Sequence, residues 1–337
     1  MDAEELTRRR EERARARQRR QTRRRVGAGA ALVLVAVVVI VAIASASGGG
    51  RSSRSTSTAT HPGHRTTTHA ARPSHRAAGH RTRGESTAAI LGPATGARGT
   101  TSVPVLMYHV IAPPPSGAPF PGLYVQPQEF AAQMQALKAA GWHAVTLDQL
   151  QAYWTKGAKL PAGKPIVLTF DNGYHSQYTE ALPVLRKLGW VADENIQLAG
   201  LPPSQGGLTP DQVKAMVDAG WELDTQGISH ADLITLDAAQ LHDQIDTARK
   251  TIQRRYGVPV NWFCYPSGHY DTTVIDAVRS AGYVGSTTVV PGWAGPSTDP
   301  YRLPRLRVLG GTSPTALLKQ IATYEHAPAP PGSYGGA

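Results

Sequence analysis

From Val103 onward this chain predicts an α/β domain built on a parallel β-sheet, and three observations carry that expectation. Short apolar runs alternate with amphipathic stretches of roughly 10–20 residues, the pattern of successive βαβ units. Glycine follows four of the helical stretches, at Ala140-Gly141, Leu188-Gly189, Ala219-Gly220 and Ala281-Gly282, where a left-handed C-cap needs it. Polar and ionisable residues collect where the strands end. In a parallel sheet, open or closed into a barrel, that end is where ligands meet the fold.

The expected strands are Val103–Ile111, Ala144–Leu147, Pro165–Phe170, Trp221–Thr225, Trp262–Tyr265, Tyr283–Val289 and Arg305–Leu309, with a weaker one at Val191–Leu198. Between them the spacing predicts helices over Phe130–Ala140, Ser176–Leu188, Pro210–Ala219, Ala238–Tyr256, Thr272–Ala281 and Pro314–Tyr324. No internal repeat interrupts this order. A folded part of this size buries enough apolar surface to need no disulfide, and the lone Cys264 can form none within the chain.

The net charge of +11 is unevenly placed. Residues 1–25 hold 11 Arg and 5 acidic groups, residues 48–103 hold 8 Arg and one acid, and residues 104–337 carry a net of −2. The basic character belongs to the tails. A nucleic-acid-binding protein would gather Lys and Arg on a folded face, so that class is set aside. Val26–Ser47 is uncharged and long enough to cross a bilayer as a helix. The Arg-rich tip before it places residues 1–25 in the cytoplasm and everything after the span outside. Ala44-Ser45-Ala46 also has the small-x-small form of a signal-peptidase site, and either reading exports the domain. Residues 48–102 have almost no large apolar side chains and are expected to be a disordered basic linker. Its five His (61, 64, 69, 75 and 80) are irregularly spaced, which favours a solvated tether over a metal site. Residues 325–337 are expected to be a disordered tail.

The strand ends carry the chemistry. They read Met107-Tyr108-His109, Thr169-Phe170-Asp171-Asn172-Gly173-Tyr174, Asp224-Thr225-Gln226 followed by Ser229-His230-Ala231-Asp232-Leu233, and Tyr265-Pro266-Ser267-Gly268-His269-Tyr270-Asp271. In this order and approximate spacing, over residues 103–324, the chain resembles the polysaccharide deacetylases, carbohydrate esterases with a NodB homology domain. The resemblance implies an irregular (β/α) barrel of about seven strands. It also implies an envelope or extracellular N-acetylated glycan as substrate and removal of N-acetyl, or O-acetyl, groups.

In that family the first carboxylate of the strand-end motif is a general base, and the second binds a divalent, zinc-like metal together with two His. Carried over, Asp171 matches the base, Asn172 the metal-binding Asp, Gln226 the first His and His230 the second. A neutral Asn–Gln–His set should bind zinc poorly, because catalytic zinc sites use His with Asp, Glu or Cys. Cys264 stands near the place of an Arg that orients the base, and no late Leu-x-His motif is evident. His109 and His269 follow strands and can line the same mouth as substrate-binding groups, a general acid or replacement ligands. Tyr265 and Trp293 are candidates for sugar stacking, with core packing as the alternative. Asp224, two residues before Gln226, adds negative charge beneath the site or is ion-paired in the barrel. Three functions stay open: a metal-dependent deacetylase, a hydrolase working without metal through Asp171 and a His, and a non-catalytic glycan-binding barrel.

Overall fold

The computed structural model describes residues 96–201 and 206–336. The tip, the apolar run Val26–Ser47 and nearly all of the basic linker lie outside the described residues. Among the described residues no helix is long and apolar enough to cross a membrane.

The chain runs β1 (Val103–Tyr108), α1 (Pro127–Ala139), β2 (Trp142–Val145), α2 (Leu147–Lys156), β3 (Lys164–Asn172), α3 (Leu182–Leu188), β4 (Asp193–Ile196), α4 (Pro210–Asp218) and β5 (Glu222–Thr225). It continues through α5 (Ala238–His242), a wider helical turn, α6 (Ala248–Tyr256), β6 (Trp262–Cys264), α7 (Thr272–Ser280), β7 (Gly285–Thr287), β8 (Trp293–Ala294), β9 (Leu306–Arg307) and α8 (Pro314–Thr323). The sheet order is β7-β6-β5-β4-β3-β1-β8. Every pairing is parallel except that of β1 with β8. β3 is long enough to serve two partners in turn, β2 at residues 164–167 and β4 at residues 169–172. The segment 303–307 joins the edges, bridging Thr287 through Leu303 and β1 through β9. The result is the irregular parallel β/α arrangement expected.

Strand side chains alternate between the helical layer and the interior. Leu106 and Tyr108 of β1 and Leu168 and Phe170 of β3 pack under the helices with Phe130, Leu137, Leu182 and Leu185. Ile196, Leu223 and Phe263 do the same on the other side. The interior therefore receives Thr169 and Asp171 from β3, Asp193 and Asn195 from β4, Glu222 and Asp224 from β5, and Cys264 from β6. The four glycines after helices adopt φ of 82°, 68°, 89° and 86°, the left-handed conformation anticipated for them.

Several boundaries differ from expectation. Leu147–Lys156 is a helix where only a strand end was anticipated, and its N-terminus is closed by a reciprocal Thr146/Gln149 cap. The domain begins before residue 103: Gly99 N donates to Tyr153 O at 2.9 Å, and Trp154 Nε1 to Thr101 O at 2.8 Å. The expectation of a disordered tail from residue 325 is corrected. Tyr334 and Tyr270 exchange two backbone hydrogen bonds of 2.8 Å, and the Tyr270 hydroxyl donates to Pro331 O.

Candidate functional site

Asp171 sits near the carboxyl end of β3, facing inward and only 1% exposed. Its charge is met by Arg305, just before β9, in a two-pronged contact of 2.7 Å to Oδ1 and 2.9 Å to Oδ2. The remaining guanidinium hydrogens go to Thr169 Oγ1 (2.9 Å), Thr288 O (2.8 Å) and Cys264 Sγ (3.2 Å). All five donors of Arg305 are thus used, the condition under which a buried guanidinium is tolerated. Asn195 Nδ2 also donates to Asp171 Oδ1 at 2.9 Å, and the Cys264 thiol lies 3.5 Å from Oδ2. Burial alone would raise the Asp171 carboxyl, but the charges of Arg305 and His109 and the hydrogen bonds from Arg305 and Asn195 outweigh it and bring its pKa to about 2. Burial pushes the Cys264 thiol up to about 12, so it stays protonated.

His109, at the carboxyl end of β1, places Nε2 3.9 Å from Asp171 Oδ2, and its Nδ1 has no partner. Burial lowers its pKa to about 4; Asp171 opposes that shift, while Arg305, Arg307 and His230 add to it. The imidazole is neutral at pH 7. His230 stands on the loop after β5 with φ 52°. Its pKa is lowered, first by burial, against the pull of Asp171, with the charge of His269 adding to the shift. His269 in turn makes a 3.0 Å contact from Nδ1 to Asp232 Oδ1, and the tail packs beside it, so that a Cβ on Gly336 would lie 3.0 Å from Nε2. The structure therefore gathers Asp171, His109 and His230 into one neighbourhood, with His269 at its side.

The family metal positions do not form a ligand set. The Gln226 side chain accepts from the Asn172 backbone N–H at 3.0 Å through Oε1 and donates to Cys264 Sγ at 3.3 Å through Nε2. Both of its polar atoms are committed to holding the strand end, where Asn172 adopts φ 78°. Asn172 brings no carboxylate and Gln226 no imidazole, so His230 alone keeps the donor chemistry zinc requires.

Other expectations are corrected as well. Tyr265 is buried, stacked on Tyr270 at 4.9 Å, with its hydroxyl donating to Tyr301 O, so it cannot meet a sugar. Trp293 lies on β8 opposite Pro104, at the start of β1 rather than its end. It packs edge-on to Trp142 and donates to Ile321 O. Asp224 has no ion pair among the described residues; one oxygen accepts from Trp262 N at 2.9 Å, and the side chain also meets Glu222. Arg305 was not singled out from sequence. A charge opening an otherwise apolar strand was its signal, but its partner is 134 residues away.

Comparison with known proteins agrees with this architecture. A model of the family described as polysaccharide deacetylase matches residues 158–286. YxkH of Bacillus subtilis (strain 168), a protein named for the polysaccharide deacetylases, is 31% identical over 215 residues, 64% of this chain and 74% of that protein. The peptidoglycan-N-acetylmuramic acid deacetylase PdaA of the same organism is 30% identical over 125 residues, 36% of this chain and 44% of its own. Among solved structures, the Streptococcus pyogenes deacetylase PplD in complex with acetate superposes with a TM-score of 0.61 at 26% identity, over 66% of this chain and 99% of that one. A relative matched over 74% of its length and a barrel with its ionisable groups at the strand ends give one answer: the chain belongs to the polysaccharide deacetylase family, hydrolases that act on carbon–nitrogen bonds other than peptide bonds.

Proposed function

We propose that this protein removes acetyl groups from an N-acetylated envelope glycan by acid–base hydrolysis, with His109 as the base and the Asp171–Arg305 pair as its fixed electrostatic support. The observation that carries the reading is the neutral His109 ring, whose Nε2 lies 3.9 Å from an ionised Asp171 at the carboxyl ends of β1 and β3. Asp171 itself is a poor base. Each of its oxygens already accepts twice, and a carboxylate with a pKa near 2 has little affinity for another proton.

In this reading a water oxygen bonds to the acetyl carbon while His109 takes a proton from it. Asp171 stabilises the imidazolium that forms. The carbon–nitrogen bond then breaks as the sugar nitrogen takes that proton from the imidazolium, which returns His109 to the neutral ring, and the acetic acid released passes its proton to the amine and leaves as acetate. PdaA acts on an N-acetylated wall sugar by its name, and PplD was solved with acetate, which supports this substrate class. No step is routed through a metal, because the donor set at Asn172, Gln226 and His230 does not fit one.

The reading includes export. Val26–Ser47 anchors the chain in the membrane with the tip in the cytoplasm, and the basic linker carries the barrel to the glycan.

The test is His109→Gln assayed on N-acetylglucosamine oligomers and on wall glycan. Hydrolysis should fall about 10²–10⁴-fold with the fold retained, and the wild-type rate should decline as pH drops through about 4. Undiminished turnover by the variant would remove His109 from the mechanism. Glycan binding without turnover by the wild type would favour the non-catalytic barrel.

A further inference from the structure

A second group of ionisable residues lies inside the barrel on β4 and β5, with Asp193 and Glu222 below the level of Asp171 and Asp224 in register with it through Asn195. Asp193 opens β4, Glu222 opens β5, and Asp224 follows on the same face. Each carboxylate ties one oxygen to a backbone N–H: Asp193 Oδ1 accepts from Leu147, Glu222 Oε2 from Asp148 and Asp224 Oδ1 from Trp262, all at 2.9 Å. Two of these donors are the first N–H groups of α2, which starts where β2 gives way to β4 along the edge of β3. The other oxygen of each carboxylate, Asp193 Oδ2, Glu222 Oε1 and Asp224 Oδ2, is sealed from solvent and accepts from no N–H group, while Glu222 meets the side chains of Asp193, Asp224 and Thr146. Ligand oxygens of the three residues lie within 4.8 Å of one another.

An independent observation points to the same place. Asn195 is fully buried, and its carbonyl Oδ1 has no partner. Its amide nitrogen is turned toward β3, donating to Asp171, which turns the carbonyl the opposite way, toward β5. There the residue in register with it is Asp224. Asn195 Oδ1 and one oxygen of each carboxylate thus meet no N–H donor, and no Lys, Arg or His forms an ion pair with these carboxylates among the described residues.

We infer that Asp193, Glu222, Asp224 and the Asn195 carbonyl form a binding site for a hard divalent cation of the calcium or magnesium class, structural in role and formed without His109 or His230. An all-oxygen set of carboxylates and a carbonyl selects such ions over zinc. Oxygens up to 4.8 Å apart suit an ion bound at about 2.1–2.5 Å from each. Hydrogen bonds that fix the non-ligating oxygens are what orients carboxylates around a metal. The alternative occupant is protons shared among the carboxyls.

The experiment uses the full-length chain. Elemental analysis should find about one equivalent of calcium or magnesium, EDTA should lower the melting temperature by about 5 °C, and adding back the ion should restore it. Asp193→Asn and Glu222→Gln should each reduce the bound equivalent and the EDTA shift, while His109→Gln leaves both unchanged. Three results would overturn the site. One is a metal-free protein whose melting ignores EDTA and whose Asp193→Asn variant melts higher at pH 8, as shared protons require. Another is an equivalent lost in His230→Gln, which places the ion at the mouth. The third is an equivalent that survives both carboxylate substitutions.

Discussion

The barrel interior holds buried carboxylates on neighbouring strands, Asp171 on β3 and Asp193, Glu222 and Asp224 on β4 and β5, and the two sets are treated in opposite ways. Asp171 is surrounded by donors, with Arg305 against both oxygens and Asn195 and Cys264 completing the set. Asp193, Glu222 and Asp224 have one backbone donor each, and their side-chain neighbours are one another, Asp148 and Thr146. Burial acts on both sets in the same direction. At Asp171 the guanidinium reverses it. At the lower set repulsion adds to it: burial first, then the charge of Glu222 at Asp193, of Asp148 at Glu222 and of Asp193 at Asp224, holds all three carboxyls well above the ordinary range. A buried carboxylate is therefore characterised by its partners, and depth alone says little about its charge. Asn195 joins the two sets, with its amide on Asp171 and its carbonyl toward Asp224.

The largest effect expected comes from removing the partner that distinguishes the two sets. Arg305→Met should cost about 3–5 kcal/mol in denaturant unfolding, because it leaves Asp171 buried and uncompensated. The double variant Asp171→Leu with Arg305→Met should recover much of that loss, since the pair costs desolvation that an apolar pair does not. If the single variant loses less than about 1 kcal/mol, the contrast between the two sets is not electrostatic.

A smaller effect separates the sets by pH. Asp171 has a folded pKa of about 2 against an ordinary value near 3.8. Its contribution, about 2 kcal/mol, is present above the ordinary value and lost as pH falls through about 2. Stability measured from pH 5 to 2 should drop in the wild type and drop less in Asp171→Asn. The lower carboxyls carry the opposite sign. Their folded pKa values are raised, so in EDTA their contribution is full below the ordinary range and is lost as pH rises through the raised values. Melting in EDTA should decline as pH rises from 5 to 8, and calcium or magnesium should flatten that decline. A decline unaffected by either ion would show that only protons occupy the lower set.

The smallest effect concerns the helix that supplies the lower donors. Thr146→Ala removes the hydroxyl that accepts from Gln149 N at 3.2 Å and opens the reciprocal cap of α2. It should cost about 1 kcal/mol. The EDTA shift should diminish with it, because Leu147 and Asp148 then present their N–H groups less firmly. A change in stability that leaves the EDTA shift intact would separate the cap from the site.

Much of the fold was legible because local rules and tertiary packing agree. The apolar runs of β1 and β3, the helical spacing of α7 and the glycine after each of four helices follow from local sequence alone. Where they conflict, the sequence misled. β4 reads weakly as a strand because Asp193, Glu194 and Asn195 are polar, yet all of them are buried. α2 was missed although Thr146 and Gln149 form the signature of a capping box. The tail's Pro and Gly composition suggested disorder, and pairing of Tyr334 with Tyr270 holds it down. Tyr265 shows the same limit in the site, since an aromatic residue after a strand can face a groove or the core.

The sequence by itself determined most of the order of strands and helices, without α2 and β8, the family resemblance and the position of Asp171 at a strand end, because these depend on residues near one another in the chain. It also showed that Asn172 and Gln226 lack the donors of a zinc site. Only the tertiary structure decided that Arg305 compensates Asp171, that His109 stands beside it as a neutral ring, and that oxygens of three carboxylates from β4 and β5 come within 4.8 Å of one another. Those contacts join residues up to 134 positions apart, and their energies are set by what the closed interior excludes, namely water, which no local pattern records.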